Sequence, residues 1–97
     1  MTHKLSVKSE ALQDMTAGFD WYENKRSGLG IEFLDEVDEF FERITQNPEQ
    51  YQTHQGQRVA VMHRFPYKIV YEIEQETIVV YAVYHDRRSP EKLSERT

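Results

Sequence analysis

The sequence predicts an α+β domain in which a two-helix hairpin packs on one face of a four-stranded, mainly antiparallel sheet. Apolar residues recur at helical spacing in two stretches between residues 9 and 46. Apolar and polar residues alternate in three stretches between residues 58 and 84, as they do in half-buried strands. The expected order is β-α-α-β-β-β, followed by a short C-terminal helix, and residues 1–97 are expected to form a single domain.

The two predicted helices carry apolar stripes that need a common partner. The first helix follows a short edge strand at residues 3–7, and Ser9 is placed to cap it. Its apolar face consists of Leu12, Met15, Phe19 and Tyr22. After a break at Gly28 and Gly30, the second helix has a wider stripe and ends at Asn47-Pro48; the stripe is Phe33, Leu34, Val37, Phe40, Phe41 and Ile44. Because neither helix can bury its stripe alone, both are expected to lie against the sheet.

Three strands after the helices complete the predicted sheet. They follow a polar loop at residues 49–57, and the last of them is apolar on both faces, which predicts a central position. The sheet face turned away from the helices is expected to be open and lined partly by Arg58, Arg64 and Lys68. After the last strand, Ser89-Pro90-Glu91 has the pattern of a helix start, with a capping serine and a proline at the first helical position.

The composition excludes several classes of protein. The net charge is -5 and the pI about 5.3, whereas a nucleic-acid-binding domain is usually basic overall. The acids concentrate between residues 9 and 50, where those from Glu32 to Glu42 predict a solvated helix face. The chain has no cysteine, no membrane-spanning apolar run and a polar N-terminus, so a cytoplasmic location is expected. No histidines have metal-ligand spacing, and neither a metal nor a cofactor is expected.

Positive side chains cluster near the end of the last predicted strand. His85 precedes Arg87 and Arg88. Histidine can serve as a general acid or base, because the pKa of an unperturbed imidazole is about 6.5. Trp21 lies opposite the apolar stripe of the first helix. It can pack against the chain termini or anchor a partner, since tryptophan is enriched at the energetic centres of interfaces.

An ordered set of short motifs extends over nearly the whole chain. The set comprises Trp21-Tyr22-Glu23, Leu29-Gly30, Phe33-Leu34, Ile44, Asn47-Pro48, Tyr51, the segment from Arg64 to Tyr71, Ala82-Val83-Tyr84-His85, Arg88 and Pro90. In this set the chain resembles RelE/ParE-family toxins of bacterial type II toxin–antitoxin systems. The resemblance implies a compact toxin that arrests growth until a small cognate antitoxin wraps it, as in plasmid stabilization systems. A homodimer or a heterotetramer with the antitoxin is compatible with it.

The resemblance implies one of two activities. RelE-like members are mRNA interferases that cut messenger RNA on the ribosome, and the matching catalytic candidates here are Lys68, His85, Arg87 and Arg88. ParE-like members are gyrase inhibitors that bind a protein and have no known catalytic residues. The candidates for contact with the target or the antitoxin are Trp21, Arg58, Arg64, Lys68, Arg87 and Arg88. A third alternative is an inactive member that serves as a regulatory binding module.

Three positions favour the ParE-like activity. The two strand lysines of RelE itself fall at Val59 and Val61 in this chain, and its late tyrosine falls at Leu93. A net charge of -5 also opposes approach to the dense phosphate of the ribosome, whereas a protein target makes no such demand. The sequence therefore predicts a toxin that binds a protein such as DNA gyrase, with the ribosome-dependent nuclease as the alternative.

Overall fold

The computed structural model describes residues 3–86 and confirms an α+β fold of two helices packed on a sheet. The elements in chain order are β1 (Lys4–Val7), α1 (Ser9–Lys25), α2 (Leu29–Gln46), a 3-10 turn (Pro48–Gln50), β2 (Thr53–His54), β3 (Gln57–Val61), β4 (Tyr67–Glu74) and β5 (Thr77–His85). The predicted C-terminal helix lies outside the described residues.

The sheet has five strands in the order β1-β5-β4-β3-β2, so the prediction of four was wrong. β1 runs parallel to β5 and all other pairs are antiparallel. β5 lies in the interior of the sheet between β1 and β4, as its sequence predicts, although the middle strand is β4. The extra strand, β2, comes from the loop at residues 49–57. Gln55 and Gly56 both have positive φ, 53° and 84°, as in the tight turn that matches the twist of a hairpin. This turn folds Thr53 back opposite Arg58.

Helix α2 buries the stripe that its sequence predicts. Phe33, Val37, Phe40 and Ile44 are almost completely inaccessible to solvent. They pack against side chains from the inner face of the sheet, namely Ala60, Tyr67, Ile69, Tyr71, Ile78, Val80 and Val83. This single core sets the position of the sheet relative to the helices.

Helix α1 buries the predicted face in part, since Met15 and Tyr22 pack against the core, but its most deeply buried positions were not predicted. Ala11 and Gly18 are buried, whereas Leu12 remains 50% exposed. A Cβ atom at Gly18 would lie 2.6 Å from the Phe33 ring, so the helix approaches the core through its smallest residues. Ser9 is the first helical residue and does not cap the helix, since its hydroxyl lies 3.3 Å from the Glu10 carboxylate and no side-chain cap is formed.

The turn between the helices depends on one carboxylate. Gly28 adopts a φ of 89°, which favours glycine, and reverses the chain between α1 and α2. The backbone N–H groups of Gly28 and Gly30 both donate to Glu23, each at 2.9 Å. Glu23 therefore satisfies donors at the N-terminus of α2 that no helical carbonyl can reach.

Candidate functional site

Two of the predicted site residues, Lys68 and His85, lie at the end of the sheet where β4 begins and β5 ends. His85 is opposite Tyr67 in the β4–β5 register, and Lys68 is opposite Tyr84. The His85 ring meets the buried Tyr67 ring edge-on at 5.3 Å, on the side of the sheet that faces the helices. Because successive residues of a strand point to opposite faces, Lys68 lies on the other side. Arg87 and Arg88 lie outside the described residues.

Lys68 is held in an ion pair at this end of the sheet. Its ammonium group lies 2.8 Å from the Asp86 carboxylate, and Asp86 in turn donates its backbone N–H to the carbonyl of Pro66 at 2.7 Å. The hydrogen bond to Asp86 raises the pKa of Lys68, while partial burial acts in the opposite direction. Lys68 is therefore charged at neutral pH, and a neighbouring carboxylate compensates its charge.

Arg64 lies away from the face on which it was expected. β3 ends at Val61, so Arg64 belongs to the β3–β4 connection, which turns toward α2. Its guanidinium lies 2.6 Å from Glu32 of that helix, and Glu32 also accepts a bond from Arg26 at 3.1 Å. These two hydrogen bonds lower the pKa of Glu32, and the Glu32 carboxylate raises the pKa of Arg64. The result is an exposed ion cluster that joins α2 to the connection.

Arg58 also faces the helical side of the sheet, contrary to prediction. It is opposite Tyr71, whose hydroxyl donates to the carbonyl of Pro48 in the 3-10 turn after α2. The Arg58 guanidinium donates to the carbonyl of Tyr51 at 2.8 Å and to that of Glu49 at 3.3 Å. Arg58 therefore fastens the segment that follows α2 to the sheet, and of the three cations expected on the open face only Lys68 lies there.

The sheet face opposite the helices is apolar at its centre in the described part of the chain. Val61 is 56% exposed beside Lys68, its partner in the register of β3 and β4. Val70, Val79 and Ala82 lie on the same face, are buried, and do not belong to the core cluster. The face is therefore less open than the sequence predicted, and its accessible part combines Val61 and the Lys68–Asp86 pair with further polar side chains such as Glu72.

Trp21 is accessible on α1. Its side chain is 47% exposed, and the Lys25 ammonium group lies 4.4 Å from the centroid of its ring. An exposed tryptophan beside a cation can bury a large area against a partner at low entropic cost. Leu12, nine residues earlier on the same helix, is also exposed.

Sequence reasoning missed the roles of two helical carboxylates. Glu36 belongs to the acid run that predicted a solvated face, yet it is 7% exposed and accepts backbone N–H groups from the β3–β4 connection. Its position was a usable signal, since it is three residues after Phe33 and four before Phe40 and thus borders the apolar stripe. The Asp14 carboxylate on α1 accepts the N–H of Val83 at 3.1 Å. Val83 lies past the last residue of β5 that pairs with β1, so Asp14 takes the place of a strand partner.

Within residues 3–86, no three histidine, cysteine or acidic side chains come together as ligands for a metal ion. Neither α1 nor α2, the long helices of this part of the chain, has the length and apolar character needed to cross a bilayer.

The helical hairpin and the sheet define a class of fold that is shared with known toxins. The family model for the ParE toxin of type II toxin–antitoxin systems, parDE, matches residues 5–90. The chain therefore belongs to the ParE toxin family, within the wider RelE/ParE group of toxins. A search of curated proteins finds no match.

Two solved structures show the same fold. The chromosomal ParDE toxin–antitoxin system from P. aeruginosa matches with a TM-score of 0.77 and 16% sequence identity, over 87% of this chain and 96% of that one. The toxin–antitoxin complex RelBE2 from Mycobacterium tuberculosis matches with a TM-score of 0.62 and 20% identity, over 88% of this chain and 99% of that one. At these identities the likeness establishes the architecture and not the target.

Proposed function

We propose that the protein is a growth-inhibiting toxin that binds a protein target such as DNA gyrase and is neutralised by a cognate antitoxin. Membership of the ParE family supports a toxin role. The observation that carries the choice of target is the separation of the cations. Lys68 lies on the sheet face opposite that of Arg58 and Arg64, and each of the three has a different partner.

Cleavage of RNA requires cations that converge on one phosphate, where they stabilise the charge of the transition state. In the described residues, Arg64 is paired with Glu32 and Lys68 with Asp86. His85 faces the opposite side of the sheet from Lys68, so these two cannot act on one phosphate without rearrangement. This geometry supports protein binding over nuclease chemistry.

The exposed part of the sheet face opposite the helices suits a protein partner. Val61 takes the position where RelE carries a lysine, and it exposes an apolar side chain instead of a cation. The acids on the outward side of α2 would repel RNA phosphate at close range. Both features are compatible with a target that offers apolar contacts and a few charges.

An antitoxin partner is supported by the solved relatives, which are a ParDE system and a RelBE2 toxin–antitoxin complex. On this chain, Trp21 offers an exposed apolar anchor on α1 for a segment that folds on binding. Trp21→Ala is expected to weaken antitoxin binding by tenfold or more, at about 1.4 kcal/mol per factor of ten. Asn24→Ala, at an exposed polar position of the same helix, is the matched control.

The direct test is a supercoiling assay with purified DNA gyrase and the purified protein. We expect inhibition at stoichiometric protein, weaker inhibition by Val61→Glu, and no change for Gln13→Glu on the exposed side of α1. Normal supercoiling at molar excess of protein contradicts the proposal. If instead messages disappear from a translating extract, and Lys68→Ala or His85→Ala prevents this, the nuclease activity is the correct one.

A further inference from the structure

The connection between β3 and β4, residues 62–66, has its backbone N–H groups satisfied in two ways. At its base, Met62 donates to the carbonyl of Tyr67 at 2.9 Å, and Tyr67 donates to the carbonyl of Phe65 at 2.7 Å. Pro66 has no N–H to satisfy. Three donors remain in the middle of the connection, and they are successive along the chain.

These three donors converge on one carboxylate, that of Glu36. The N–H of His63 lies 3.1 Å from Oε2, that of Arg64 lies 2.9 Å from Oε2 and 3.2 Å from Oε1, and that of Phe65 lies 3.2 Å from Oε1. Glu36 is almost completely buried, and within the described residues it forms no ion pair. Successive N–H groups that point into one concave space form a binding site for an anion.

We propose that residues 63–65 form a carboxylate-binding loop whose resident ligand is Glu36, and that Glu36 is thereby a positioning residue for the Lys68–Asp86 pair. The path is short. The loop directly precedes Pro66, whose carbonyl accepts a hydrogen bond from the N–H of Asp86. The Asp86 carboxylate in turn forms the ion pair with Lys68. The importance of the pair rests on the proposed function, whereas carboxylate binding by the loop stands without it.

The loop can be tested by removing its ligand and returning it in solution. Glu36→Ala leaves a space in which formate, a free carboxylate, can meet the same donors. We expect the amide signals of residues 63–65 to move in the variant and to return toward wild-type positions as formate saturates. Sodium chloride at the same ionic strength is not expected to reproduce the effect, and Glu39→Ala, at an exposed position of α2, is the matched control. A response that does not saturate, or that is equal in the control, overturns the carboxylate-binding loop.

The positioning role has its own readout. In the same titration, the side-chain signals of Lys68 and Asp86 are expected to recover with those of the loop. Inhibition of gyrase by Glu36→Ala is expected to recover over the same range of formate. Recovery of the loop signals without recovery of the Lys68–Asp86 pair overturns the positioning role. If wild-type protein does not inhibit gyrase at all, the proposed function fails while the loop assignment stands.

If Glu36→Ala does not fold, a more conservative variant, Glu36→Gln, allows a second measurement. Glu36→Gln keeps the size of the side chain and loses one of its two acceptor oxygens. We expect amide hydrogen exchange at residues 63–65 to accelerate by about tenfold or more, because each lost bond changes local opening by about that factor. Exchange in the paired part of β4 and β5 is expected to stay unchanged. Equal protection of the loop in wild type and variant overturns the proposal.

Discussion

Replacing Gly18 with alanine tests how closely α1 packs on the core. In an exposed helix interior this change stabilises by about 1 kcal/mol, because glycine is a poor helix former. At Gly18, an added Cβ atom would lie 2.6 and 2.7 Å from two atoms of the Phe33 ring and 3.3 Å from the Tyr67 hydroxyl. Carbon atoms in contact are normally about 3.5–4.0 Å apart, so the new methyl group overlaps the ring by about 1 Å.

The Phe33 ring has little room to move. It is completely buried, and its centroid lies 5.5 Å from those of Tyr22 and Phe65 and 4.7 Å from that of Tyr67. Overpacking of a core costs about 1–3 kcal/mol, and the rigid aromatic surroundings place this site in the upper half of that range. After the gain in helix propensity is subtracted, we expect a net destabilisation of about 1–2 kcal/mol.

Thermal denaturation followed by circular dichroism measures this change. For a domain of this length the melting temperature should fall by about 5–15 °C. Ala17→Gly, at the exposed neighbouring position, measures the helix-propensity term alone. If Gly18→Ala raises the melting temperature by as much as Ala17→Gly lowers it, the close approach of α1 to the core is refuted.

Three further changes probe individual contacts. Tyr71→Phe removes the hydroxyl that donates to the Pro48 carbonyl and should cost about 1–2 kcal/mol in urea denaturation. Burial raises the pKa of Tyr71 to about 12, so the unfolded state loses this proton first and wild-type stability falls between pH 10.0 and about 12. Asp14→Ala leaves the Val83 N–H without its carboxylate and should cost about 1–3 kcal/mol by the same denaturation. Glu32→Gln removes two exposed ion pairs. We expect the melting temperature to change very little, and even less at high salt, where such pairs are screened.

Each of these predictions has a contradicting outcome. An alkaline loss of stability in Tyr71→Phe equal to that of wild type would exclude Tyr71 as its source. Asp20→Ala, at an exposed position of α1, is the control for Asp14→Ala, and equal effects of the two would exclude an anchoring role for Asp14. A melting temperature of Glu32→Gln as low as that of Asp14→Ala would show that the surface ion cluster contributes more than its exposure allows.

The sequence predicted the elements whose side chains follow one local period. The stripe of α2 was correct because Phe33, Val37, Phe40 and Ile44 repeat at helical spacing and all face the same core. The interior position of β5, between β1 and β4, was predicted correctly because a strand that is apolar on both faces is typical of the inside of a sheet. In both cases the pattern itself contains the information about burial.

The sequence could not predict contacts that depend on close approach or on distant donors. Gly18 and Ala11 carry little hydrophobic signal, so the larger Leu12 was placed on the inner face of α1 in error. Glu36 is buried only because three N–H groups nearly thirty residues away converge on it. Arg64 was placed on an open strand face because the alternation continues past Val61, where β3 in fact ends.

In the candidate site, too, strand positions could be predicted from the sequence, whereas contacts between distant parts of the chain could not. Lys68 and His85 were both catalytic candidates, and the β4–β5 register places them at the same end of the sheet but on opposite faces. The ion pair between Lys68 and Asp86 depends on the path of the chain after β5 and on the hydrogen bond from Asp86 to the carbonyl of Pro66. Neither can be predicted from the alternation of apolar and polar residues. The roles of these residues stay predictions.

Controlled expression of the protein in bacteria, with plasmid topology and messenger RNA half-lives followed in the same culture, tests the choice of target most directly. A toxin that binds gyrase should relax the plasmid or break DNA within minutes while messages decay at their normal rate. Rapid loss of messages with plasmid topology intact would contradict the account.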